Sequence, residues 1–176
     1  MADAAQQFAR FKLLIATPEP PALGPQRRDG TLGVKELTDK LTAFFERENI
    51  PPGIHPLLKS AALLWHDHFE ESHAISQHLE TPEGSWLHGI RHRREPDYEN
   101  ARYWFRRVGQ HEAYRVLTER TARQEDILPA GQWDSLAFID ACEKAEQGKD
   151  AAAVSVLRQV QDAEFDVLLA HIFQHA

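Results

Sequence analysis

Apolar residues recur at helical spacing along most of this chain, and Pro and Gly separate the periodic runs. Ala4, Phe8, Phe11 and Ile15 mark one side of a first short helix, expected over residues 3–15. The stretch "TPEPPALGPQRRDGTLG" then reads as a loop. Val34, Leu37, Leu41, Phe44 and Phe45 give a second amphipathic helix, ended by Asn49 and "IPPG". Pro56 suits the first position of a third and longest helix, expected to reach Leu79.

Ser85 is the expected N-cap of a short helix that stops before Pro96, because the residue preceding a proline avoids the α region. Asp97 caps the next helix and Gly109 closes it. Further helices are expected over residues 111–123, over "WDSLAFIDACEKAEQG", and from an Asp150 cap almost to the last residue. The fold class is all-α: a single-domain bundle of about eight helices, some short. Residues 1–33 form an N-terminal short helix plus a Pro/Gly-rich loop, packed on the domain or mobile. Residues 34–176 form the helical domain.

The composition suits a soluble globular chain, with 42% hydrophobic and 27% charged residues in 176. A net charge of -7 argues against a nucleic-acid surface. No apolar run reaches the roughly 18 residues of a membrane span. One cysteine, Cys142, excludes an intramolecular disulfide, and the first residues lack a basic, secretory-type start. These features lead to the expectation of a cytoplasmic protein with no nucleic-acid or membrane partner, compatible with a homo-oligomer. Charge is unevenly placed. Between Trp86 and His111, six arginines face three acids, a local +3 in a chain that is otherwise -10.

Histidines supply the candidate chemistry. On a single helix through residues 56–79, His68 falls on the apolar arc with Leu57, Ala61, Leu64 and Trp65, and His66 and Glu70 fall on the opposite, solvent arc. His73 lies at the margin. Glu70-x-x-His73 has the spacing of a metal-ligand pair on one helix face, as does the i, i+4 pair His88 and His92. Glu70, His73, His88 and His92 are therefore the candidate ligands for a divalent metal (Zn, Fe or Mn), with Glu164 or His171 as a further donor. A solvated helix face and a hydrogen-bonded core histidine would show the same spacings. His68, His73 and His92 are the candidate general bases. No P-loop, Rossmann or nucleophile-elbow pattern points to a nucleotide or to nucleophilic catalysis.

The arginine block offers forks for a carboxylate or phosphate. Arg93, Arg94, Asp97, Tyr103 and Arg107 are the candidate ligand-binding residues. Arg93 and Arg94 stand just before Pro96, and Arg94 shares a side with Trp86 and Ile90, so an inward guanidinium there needs a carboxylate. The pieces "LLWHDHFEESHAISQ", "HGIRHRREPDYENARYWFRRVG" and "WDSLAFIDACE" resemble an uncharacterised all-α family from bacteria and fungi. The likeness runs from about Leu57 onward. It implies that the central block is the family's mark, and it implies no activity. Two functions remain. One is a protein or enzyme that binds a small anionic or carbonyl-bearing molecule in a His/Arg-lined cleft. The other is a non-enzymatic interaction module whose arginine and aromatic block is structural or an interface.

Overall fold

The computed structural model describes residues 3–124 and 127–176. Nine α-helices and no strand occur among these residues. They are α1 (Ala4–Leu14), α2 (Val34–Glu48), α3 (His55–Trp65), α4 (Phe69–Ser76), α5 (Pro82–Arg94), α6 (Tyr98–Val108), α7 (Tyr114–Arg120), α8 (Ser135–Gly148) and α9 (Ala151–Gln174). Met1 and Ala2, which open the expected 1–33 unit, lie outside the described residues. Aspartates start three helices. Asp97 accepts from the Asn100 amide, Asp134 from Leu136 and Ala137, and Asp150 from Ala152 and Ala153.

The helices form one compact domain. α3 runs through its centre, buried from Ala61 to Trp65 among α2, α4, α5 and α9. α5 and α6 pack closely at Gly89, where an added Cβ would lie 2.7 Å from the Phe105 ring and the ring or the helix would have to shift. No helix among the described residues is long and apolar enough to cross a membrane.

Three expectations about helix limits need correction. The long third helix is two helices, α3 and α4, divided at His66–His68. Asp67 sits there with φ +62, outside the right-handed region. Its carboxylate accepts from Arg94 and from Arg28, and two buried ion pairs outweigh one awkward backbone residue. Because the helix breaks, the facing inferred for His66 fails. His66 is fully buried rather than exposed, while His68 is buried as its arc implied. Finally, α5 starts at Pro82, with Thr81 rather than Ser85 as N-cap, its hydroxyl accepting from Gly84.

The Pro/Gly-rich segment 16–33 packs as a strap across the domain. Arg158 donates to the Pro20 carbonyl, and Gln161 donates to Pro21 (3.0 Å) and Ala22 (3.1 Å). His66 and His68 hold the two backbone groups of Leu32. The Leu32 amide donates to His66 Nδ1 at 3.1 Å, and His68 Nε2 lies 2.7 Å from the Leu32 carbonyl.

Candidate functional site: a three-histidine cluster

α5 is buried from Gly84 to Arg94, with no solvent face over that span. The reason is its neighbours: α3, α4 and α6 cover it on separate sides. A buried helix rich in Arg and His must find partners for every polar group. Arg93 meets Glu164 of α9 at 2.5 Å, and Trp86 donates to the same carboxylate at 3.0 Å. Arg94 meets Asp67 at 2.6 Å and donates to the Leu64 and Ala22 carbonyls. Burial alone would raise the Asp67 carboxyl pKa, but Arg94 and Arg28 outweigh it and hold the group ionised. For Arg93, burial opposes the charge and the Glu164 carboxylate more than restores it.

Both forks are thus committed inside the protein, and they fix α5 against the α3–α4 corner and against α9. Arg94 has all three nitrogens engaged, whereas Arg93 Nε is buried with no partner among the described residues. Of the other ligand-binding candidates, Asp97 caps α6 beside His92, and Tyr103 is exposed. Arg107 lies over Trp104 at 5.3 Å and over Tyr103 at 5.9 Å.

The histidines of α5 converge with one from α4. His73, His88 and His92 each offer a ring nitrogen, and these nitrogens lie within 4.8 Å of one another. The His88 and His92 rings stack at 4.9 Å, and His73 stands edge-on to His88 at 4.7 Å. Trp104 of α6 stacks on His88 at 3.8 Å, so three helices build the cluster. His73 is half-buried and forms its open side.

Polar neighbours orient the His92 ring. Asp97 Oδ2 lies 3.5 Å from His92 Nδ1, and Arg91 Nη1 and Asn100 Nδ2 lie 3.3 Å from it. The remaining nitrogens, His88 Nδ1 and His92 Nε2, are buried with no hydrogen-bond partner among the described residues. Each such group costs about 1–3 kcal/mol if nothing satisfies it. Arg91 Nη1 and Asn100 Nδ2 are donors, so the neutral His92 ring accepts at Nδ1 and carries its proton on Nε2. Coordination through Nε2 requires the other tautomer, with Asp97 Oδ2 at 3.5 Å as the acceptor for an Nδ1 proton. A carboxylate or carbonyl behind a histidine is the usual support of a metal ligand.

All three rings are neutral at pH 7. Burial, then the neighbouring imidazoles and Arg91, pushes the His88 pKa down to about 3. Burial and then Arg91 push His92 down to about 4, and burial lowers His73. Neutral imidazole is the form that coordinates metal. Arg91 adds a positive charge beside His92, but Glu95 at 2.6 Å and Glu70 at 3.1 Å pair with it. Asp97 adds a further carboxylate beside His92, at 3.5 Å from its Nδ1.

Glu70 itself is not in the cluster. Its side chain is 81% exposed and engages Arg91. Glu164, a suggested further donor, is buried against Trp86 and Arg93, and His171 belongs to a separate cluster on α9. His68 also stands apart, bound to the strap. Sequence reasoning missed Trp104, which it gives only as part of an apolar helix side. An Asx cap five residues after His92 was the one signal available for Asp97 and Asn100 as its neighbours. Comparison with protein-family models, with curated proteins and with solved structures returns no match.

Proposed function

We propose that this protein binds a divalent transition-metal ion through His73, His88 and His92, and that a small anionic or carbonyl-bearing molecule takes the metal's remaining positions. One observation carries the reading: three neutral imidazoles meet, and two of them keep a buried nitrogen without a partner. Three protein ligands with an open position is the arrangement of a reactive rather than a purely structural site. The metal would supply Lewis acidity toward a bound oxygen.

The chain's own residues have separate tasks. Arg91 and Asn100 orient the His92 ring, Trp104 covers His88, and the Glu70 and Glu95 carboxylates balance the Arg91 charge beside the cluster. The nitrogens must draw closer to bind zinc, since tetrahedral Zn–N bonds of about 2.0–2.1 Å put ligand atoms roughly 3.3 Å apart. His73, half-buried on the short helix α4, is the ring free to swing. The test is a cobalt(II) titration of the untagged full chain. Tetrahedral d–d bands that change on adding acetate or phosphate support the reading. A spectrum of hydrated cobalt only would reject it.

A further inference from the structure

A second histidine–carboxylate cluster lies where α5, α7 and the C-terminal end of α9 meet. It comprises Glu83, His111, Glu112, His171 and His175. Its hydrogen bonds can be followed nitrogen by nitrogen. The Ala113 amide donates to His111 Nδ1 at 3.2 Å, so the neutral ring carries its proton on Nε2 and donates to Glu83 Oε1 at 3.4 Å. His171 Nε2 lies 3.3 Å from the same oxygen, the nearer of its two carboxylate neighbours, which favours the proton on this nitrogen. Its lone pair is therefore on Nδ1, 3.6 Å from Glu112 Oε1. His175 Nδ1 lies 2.9 Å from the His171 carbonyl and can only donate to it. The lone pair of His175 is then on Nε2, 3.1 Å from Glu112 Oε1.

Three electron pairs thus face one point: His171 Nδ1, His175 Nε2 and a Glu112 oxygen. Acceptors do not approach one another without a positive charge between them. A proton on one imidazole would serve, and so would a metal ion. Two features favour the metal. A proton bridges two atoms, whereas here three donors lie within 4.8 Å of one another. Glu83 also stands behind His171 as the carboxylate of a carboxylate–histidine–metal arrangement, itself held by His111. Glu83, His111 and His171 are a less suitable ligand set, because His111 Nε2 already carries a proton.

The geometry points to a second divalent transition-metal site, with His171, His175 and Glu112 as ligands and Glu83 as the positioning carboxylate. The two imidazoles and one carboxylate suit zinc, iron(II) or a similar first-row ion. The three ligands line a surface cavity of about 400 Å³, so the ion is reachable from solvent and keeps open positions. The site is separate from the His73–His88–His92 cluster and does not depend on it.

The test is a Zn²⁺ titration of the untagged full chain at pH 7.5, read from assigned histidine ring ¹⁵N signals. The expected result is a coordination shift at His171 Nδ1 and His175 Nε2. His175→Ala and Glu112→Gln, both at exposed positions, should abolish it and leave the His88 and His92 response unchanged. Glu83→Gln should weaken binding by about 10- to 100-fold. Imidazolium signals at His171 or His175 with no response to Zn²⁺ would overturn the proposal and assign the central charge to a proton. Unchanged affinity in His175→Ala would overturn it as well.

Discussion

His88 and His92 lie one turn apart on α5 and stack at 4.9 Å, and each keeps one buried ring nitrogen without a partner. Stacked neutral imidazoles with unpaired nitrogens are costly in a core unless something binds them. Trp104 stacks on His88 and therefore reports on occupancy. Copper(II) or nickel(II) should quench part of the tryptophan fluorescence, and Trp104→Phe should remove most of that response. Equal quenching in the variant would place the metal elsewhere.

Arg94 and Asp67 form an ion pair whose side chains are both 0% exposed. Arg94→Met keeps the stem and leaves Asp67 partly uncompensated, with only Arg28 beside it. Loss of one partner from a buried pair typically costs about 3–5 kcal/mol. Chemical denaturation should show a loss of that order. Arg107→Met, at an exposed position, should change stability by no more than about 0.5 kcal/mol.

Acid should destabilise the protein well above the carboxylate range. His66, His88 and His92 are buried, with pKa values pushed down to about 4, 3 and 4 from 6.5. Their folded values lie below the unfolded one, so the unfolded chain binds up to three more protons as the pH falls. The stability they confer is complete above about pH 6.5 and is lost progressively as the pH falls toward about 3. Urea midpoints at pH 7, 6 and 5 should fall in that order, and a flat profile would contradict neutral burial of these rings.

Gly89→Ala should push α6 away from α5, because the new Cβ meets the Phe105 ring at 2.7 Å. Overpacking of this kind costs about 1–3 kcal/mol. The shift also moves Trp104 relative to His88, so metal affinity should fall along with the thermal midpoint. An unchanged midpoint would mean that the Phe105 ring rotates aside freely.

The sequence pattern made the helices legible because apolar period and caps are local signals. Asp97, Asp134 and Asp150 each precede a helix that begins where the cap requires. The break at Asp67 was not legible, because its cause is distant: two arginines, 39 residues before it and 27 residues after it in the chain. That break reversed the facing of His66. The three-histidine cluster was half legible: His88, His92 and His73 stand among the candidates by spacing, and Glu70, on the solvent arc, engages Arg91 instead. Periodicity also could not show that α5 is buried over its full circumference, since polar residues at half its positions look like a solvent face.

Metal content of the untagged protein, compared between wild type and His73→Ala, tests the central proposal most directly. His73 is half-buried, so its removal leaves the core intact. After zinc loading and removal of free ion, the wild type should retain about one equivalent more than His73→Ala. His175→Ala should lose only the ion of the second cluster. Equal metal content in wild type and His73→Ala, or a wild type that takes up no ion, would contradict the account.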